Sequence, residues 1–196
     1  DPDLGAHAAH RVAYDHPDNY VVMAKRLASE TPNAILANQF YNPSNPQAHY
    51  DTTGPELWAQ SEGRISHFVA AAGTGGTITG VGRYLKEQNP AVRIVAGDPV
   101  GSILAGHWRT HGAQVPEGAP YKVEGIGQDK IPGTLDMSVI DAYHTVTDRD
   151  AFAMARRLTR EEGLFVGGSA GLIAHVALMV AREIDDPDAF VVTFLC

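Results

Sequence analysis

Apolar runs and amphipathic stretches take turns along most of the chain, and their order predicts its elements. "ISHFVAA" reads as a strand, a helix is predicted from about Thr77 to Gln88, and "VRIVAG" reads as the next strand. A glycine-rich connector containing "VEGIGQDKIPGTLD" follows, and then strand "AYHTVT", helix "DAFAMARRLTREEG", a tight "FVGGSAG", helix "LIAHVALMVARE" and strand "AFVVTFL". Strands alternating with helices of this length imply right-handed crossovers, hence an α/β fold whose parallel sheet is covered by helices on both faces. Upstream the pattern is sparser. "DNYVVMAKRLASE" is a helix candidate with Asp18 as N-cap, Tyr20, Met23, Ala24 and Leu27 on its apolar face, and Pro32 closing it. The turn-rich "NQFYNPSNPQAHYDTTGPELWAQ" leads into one short helix.

In a parallel sheet, ligands sit at the carboxyl ends of the strands. Two glycine clusters, Gly73 to Gly76 and Gly167 to Gly171, fall at strand-to-helix junctions of that kind. The loop "GTGGT" offers unhindered backbone N–H groups, the hydroxyls of Thr74 and Thr77, and the positive end of a helix dipole. Together these suit a phosphate. No Gly-Lys-Ser/Thr closes the loop, so the lysine of a Walker A site is missing, and the sixth position from Gly73 is Ile78, which breaks GxGxxG. A single phosphate monoester is the favoured ligand. Asp98 stands near the end of the next strand, where a ribose-binding acid would lie, and this keeps a dinucleotide alternative open. A lone GxG is more often only a tight turn. Five consecutive small or hydroxyl residues move the reading towards an anion.

Composition narrows the partners. The chain has 196 residues, 44% hydrophobic and 19% charged, as expected of a globular protein with a real core. A formal charge of −8 with scattered basic residues argues against nucleic acid and for small molecules. The single cysteine, Cys196, allows no internal disulfide and fits a reducing cytosol. No apolar run approaches the roughly 18 residues of a membrane span, and "DPDLGAHAAHRV" lacks a signal pattern. The abrupt ends suggest a fragment or processed piece.

Five stretches, "NQFYNPSNPQAHYDTTGPELW", "GTGGTITGVGRYLKE", "DPVGSILA", "VEGIGQDKIP" and "EEGLFVGGSAG", together resemble the cysteine synthase and cystathionine beta-synthase family of fold-type II pyridoxal-phosphate enzymes. The likeness runs in order from about Asp18 to the last residue, and "GSILA", "VEGIG" and "GGSAG" are nearest the cystathionine beta-synthases. The resemblance implies a tryptophan-synthase-beta-like fold of two α/β lobes, with residues 1–50 ending the smaller lobe and crossing over, and residues 51–196 forming most of the larger one. It further implies pyridoxal 5'-phosphate as cofactor, its phosphate held by Gly73, Thr74, Gly75, Gly76 and Thr77. Ser169 matches the serine that hydrogen-bonds the pyridine nitrogen. A neutral hydroxyl there leaves the nitrogen mostly unprotonated, a milder electron sink that suits β-elimination and thiol addition.

By the same resemblance Gln39 lies near the substrate carboxylate, Phe40 follows where some relatives carry tyrosine, and Gly125 and Gly127 belong to a loop beside the substrate amine. Phe40 is closer to the cysteine synthases, which leaves donor and acceptor open. The implied reaction joins L-serine, or an activated serine, to homocysteine or another thiol, in a cytosolic homodimer. The family's attachment lysine, in a Ser-x-Lys-Asp context, matches no lysine here, and no catalytic residue is assigned. Lys25, Lys86, Lys122 and Lys130 stand in other contexts, the first two expected on solvated helix faces. These 196 residues alone are accordingly expected to be inactive, as part of a longer enzyme. The competing expectation is a non-catalytic binding module, and a nucleotide-dependent dehydrogenase stands third.

His107 and His111 have a spacing that could place two metal ligands on one helix face, but "WRT" and Gly112 give little support for a helix. His175 reads as a core or interface histidine, and Glu161 with Glu162 as solvated surface, since adjacent helical residues point different ways.

Overall fold

The computed structural model describes residues 16–196. They belong to two compact units, one ending at Asn38 and the other running Gln39–Cys196. Residues 1–15 of the segment expected to end the smaller lobe lie outside the described residues.

In the first unit, helix α1 spans Tyr20–Glu30. Asn19, and not the expected Asp18, caps it, its side chain accepting from Val21 N at 3.0 Å. An amide oxygen caps as well as a carboxylate, so the two neighbours could not be told apart from sequence. Val21 is the buried residue of this helix, whereas Tyr20, Met23 and Leu27 of the expected apolar stripe are exposed.

The second unit opens with α2 (Ser44–Ala48), a π-helical turn (His49–Thr53) and α3 (Gly54–Gln60), a nearly continuous run where one short helix was expected. Then come β1 (His67–Ala71), α4 (Gly76–Gln88), β2 (Arg93–Pro99) and α5 (Leu104–Arg109). β3 (Ala142–Val146), α6 (Asp148–Glu161), α7 (Gly168–Glu183) and β4 (Val191–Thr193) complete it. Helix α4 begins one residue before the expected Thr77. The unexpected helix α5 puts His107 on a helix, while His111 lies beyond its end at φ 51°. His107 instead closes the turn after α5, its Nδ1 lying 2.7 Å from Gln114 O.

Among the described residues the strands form one parallel sheet in the order β3-β2-β1-β4. Alternate residues of each strand point to opposite faces. Phe68, Ala70, Ile94 and Ala96 pack with Ile78, Val81 and Leu85 of α4 and Leu104 of α5. Val69 and Val95 face the other way, against Ala151 of α6 and Leu172, Ile173 and Val176 of α7. The sheet therefore has helices on both faces, as the strand and helix pattern predicts. The chain moves outward from β1 to β3 and then returns through α6 and α7 to the far side of β1. The winding reverses between β1 and β4, which makes their carboxyl ends the crevice where open α/β sheets bind ligands.

Lys86 departs from the solvated role expected of it. Its ammonium lies 2.8 and 3.0 Å from the two carboxylate oxygens of Asp141, and Asp141 also accepts from Ile94 N at 2.7 Å. This half-buried pair ties α4 to the amino end of β2 and the entrance of β3.

Candidate functional site

The loop Gly73–Gly76 leaves the carboxyl end of β1 at the point where the winding reverses. Gly75 has φ 84°, a left-handed conformation that glycine adopts without strain, and it forms the N-cap of α4 without a side-chain cap. The amides of Thr74, Gly75 and Thr77 have no acceptor among the described residues. Free N–H groups at a helix N-terminus, with the positive end of its dipole, are what an anion site requires.

What surrounds the loop explains its glycines. A Cβ on Gly73 would strike the carbonyl oxygen of Gly125, one on Gly75 would reach 2.7 Å from Leu135 Cδ1, and one on Gly76 would strike Asn45 Oδ1. The protein is packed against the loop from three sides. α2 and the π-helical turn come this close because Gly80 of α4 has no side chain to fend off the Pro46 carbonyl and His49.

Polar contacts make the clamp specific. Asn45 Nδ2 donates to Thr74 Oγ1 at 2.9 Å and to Gln39 O at 2.8 Å. Thr134, almost fully buried, donates its hydroxyl proton to Thr74 O at 2.7 Å, while its backbone N–H donates to Phe40 O at 3.2 Å. Thr77 Oγ1 lies 3.2 Å from His49 Nε2, and burial lowers the pKa of that imidazole. Asn45 and Thr134 thus join Gln39 and Phe40 to Thr74, and His49 separately holds Thr77; sequence reading passed over all three of these holding residues. Asn45 and His49 lie inside the stretch "NPSNPQAH", and Thr134 inside "IPGTLD", so the signal was present but not resolved to residues.

The connector is pinned to the same loop. Gly125 and Gly127 have φ 82° and 75°, and Gly127 N donates to Ala72 O at 2.8 Å. One residue on, Gln128 N donates to Ser102 Oγ at 3.0 Å and Gln128 O accepts from Ile103 N at 2.9 Å. Gly125 therefore sits against Gly73 by construction.

Ser169 lies in the first turn of α7, on the other side of the sheet, and donates to Cys196 O at 3.4 Å. Cys196 follows β4, the strand beside β1. Ser169 is thereby placed at the carboxyl edge of the sheet, although no hydrogen bond joins it to the Gly73–Thr77 loop. His175 of α7 is partly exposed, and Glu161 pairs with Arg157 on the surface of α6.

Asp98 does not face a crevice. It is 0% exposed, accepts from Ala105 N at 2.9 Å through Oδ2, and so holds the start of α5. Burial raises its pKa to about 6, and its Oδ1, like the buried Tyr143 hydroxyl, has no partner among the described residues. A side chain enclosed in this way cannot grip a ribose.

The profile of the family described as "Pyridoxal-phosphate dependent enzyme" matches residues 3–196. The cystathionine beta-synthase of Oryctolagus cuniculus is 46% identical over 179 residues, 91% of this chain and 32% of that protein. That of Apis mellifera is 44% identical over 180 residues, 92% of this chain and 35% of the relative. The O-acetylserine dependent cystathionine beta-synthase of Bacillus subtilis is 40% identical over 180 residues, 92% of this chain and 56% of the relative. The chain spans about a third of the length of the first two relatives. It belongs to the pyridoxal-phosphate-dependent enzymes of fold type II, whose cofactor is pyridoxal 5'-phosphate.

Proposed function

We propose that the whole protein is a β-replacement enzyme that joins L-serine to L-homocysteine to give cystathionine, and that Gly73, Thr74, Gly75, Gly76 and Thr77 hold the cofactor's phosphate. The supporting observation is the clamped loop at the sheet's switch point, whose Thr74, Gly75 and Thr77 amides have no acceptor among the described residues. Backbone N–H groups, two hydroxyls and a helix N-terminus fit a phosphate monoester without a lysine. When bound, pyridoxal phosphate supplies an electron sink for the substrate's α-carbon, which lets a β-substituent leave and a thiol add.

The chain's own residues divide the remaining work. Ser169 offers the pyridine nitrogen a neutral hydroxyl, which keeps that nitrogen mostly unprotonated. Gln39 and Phe40 line the substrate carboxylate's side, and because Asn45 and Thr134 bind both their carbonyls and Thr74, substrate and phosphate positions are set by one framework. Gly125 lies beside the substrate amine, in a stretch whose left-handed glycines permit a sharp turn. Residues 1–50 are assigned to the end of the smaller lobe and 51–196 to the larger, in a cytosolic homodimer that binds neither nucleic acid nor membrane. No helix among the described residues is long and apolar enough to cross a membrane.

A cysteine synthase that takes O-acetylserine and sulfide is the second reading, favoured by Phe40 and by the donor in the name of the Bacillus subtilis relative. Full-length protein loaded with pyridoxal phosphate, offered each donor with homocysteine or sulfide and read by mass spectrometry, separates them. Cystathionine from L-serine supports the proposal. Cysteine from O-acetylserine and sulfide alone replaces it with the second reading, and a loaded protein that makes neither product contradicts both.

A further inference from the structure

Thr77 has a single side-chain partner among the described residues, Nε2 of His49 at 3.2 Å. The other ring nitrogen of His49, Nδ1, lies 2.9 Å from Thr53 Oγ1. Three side chains thus form a hydrogen-bonded row from the π-helical turn to the first turn of α4. Burial lowers the imidazole pKa, so the ring is neutral at neutral pH. A neutral imidazole carries one N–H and one bare nitrogen, which gives the row two polarities.

In the first, Nδ1–H donates to Thr53 and the only hydroxyl proton of Thr77 is committed to Nε2. The Thr77 oxygen then presents lone pairs alone to its other neighbours, an arrangement that repels an anion in the loop. In the second, Thr53 donates to Nδ1 and Nε2–H donates to Thr77. The Thr77 proton is then released to point at a phosphate, where it forms a charge-assisted bond.

We propose that His49 is a positioning residue for the phosphate loop, held as its Nε2–H tautomer so that it donates to Thr77 and frees the Thr77 hydroxyl proton for the phosphate. The proposal rests on the reading that residues 73–77 hold that phosphate. Bound phosphate selects the second polarity, so an anion at one end of the row sets the proton position on a ring whose far side touches Thr53. A π-helical turn suits this task because its wider spacing changes which side chains share a face of the helix run.

The test uses full-length protein carrying isotope-labelled histidine, with long-range proton–nitrogen spectra recorded with and without pyridoxal phosphate. His49→Gln, which keeps an N–H able to reach Thr77, and His49→Phe, which does not, are measured alongside, and each identifies the His49 signal. The expected result is a protonated Nε2 and a bare Nδ1 in the loaded wild type. The dissociation constant should rise about 3- to 10-fold in His49→Phe and stay within about twofold in His49→Gln. A loaded wild type that prefers pyridoxal phosphate over pyridoxal, yet carries the proton on Nδ1, overturns the proposal and leaves the loop reading standing. A wild type that binds pyridoxal as tightly as its phosphate overturns both.

Discussion

Thr134 donates its hydroxyl proton to the carbonyl oxygen of Thr74 at 2.7 Å, across 60 residues of sequence. That bond holds the Gly73–Thr77 loop to the connector that also carries Gly125. Replacing Thr134 with valine keeps the shape but leaves the Thr74 carbonyl without its donor in a nearly dry setting. Thr134→Val should cost about 1–3 kcal/mol of stability, read by denaturant unfolding, and should weaken pyridoxal-phosphate uptake more than Thr134→Ser does.

Gly76→Ala tests the packing of the clamp. An alanine at the start of an ordinary helix would help by up to about 1 kcal/mol. Here its Cβ would strike Asn45 Oδ1, and Asn45 cannot withdraw without giving up Thr74 and Gln39. The expected outcome is a loss of cofactor affinity of about tenfold or more, from roughly 1.4 kcal/mol of displaced contacts. An absorbance titration with pyridoxal phosphate measures it. Unchanged affinity would show that Asn45 is free to move.

Asp98 sets a pH dependence of stability. Its buried carboxyl keeps its proton up to about pH 6, against 3.8 for an ordinary aspartate, so between those values the folded state binds more protons than the unfolded state. The stabilisation from this group is therefore complete below the unfolded value and is lost as pH rises through about 6. The loss is on the order of 3 kcal/mol. Asp98→Asn should flatten urea-unfolding stability between about pH 4 and 7 relative to wild type, since its amide does not titrate. A parallel slope in both proteins would remove Asp98 as the cause.

The Lys86–Asp141 pair should behave asymmetrically. Lys86→Met removes a half-buried ion pair and should cost about 1 kcal/mol. Asp141→Ala also deprives Ile94 N of its acceptor, and should cost about 1 kcal/mol more. Unfolding midpoints of the two variants, compared at low and high salt, check both the order and the screening.

Much of the second unit is legible in the sequence for a physical reason. β1 and β2 alternate, so Phe68 and Ala70 face one layer while Val69 faces the other, and period-2 patterns can be read without knowing the partner. The position of the glycine loop is legible because its small residues are consecutive and fall at one strand-to-helix junction. The residues that hold the loop are not. Asn45 meets Thr74 across 29 residues, Thr134 meets it across 60, and Lys86 meets Asp141 across 55. No local spacing encodes such meetings. Asp98 misleads for a similar reason: its position suits a ribose-binding acid, and only the packing of β3 and α5 over it encloses the carboxylate. The unexpected α5 arises there too, since Asp98 satisfies an amide in its first turn that no local residue signals.

The position of the phosphate itself decides whether the clamped loop is the cofactor's anchor. A crystal structure of the full-length protein grown with pyridoxal phosphate measures it directly. The expected result is the phosphate group within about 3 Å of the backbone nitrogens of Thr74, Gly75 and Thr77, with the pyridine nitrogen facing Ser169. A phosphate bound elsewhere, with those three amides facing only water, would contradict it.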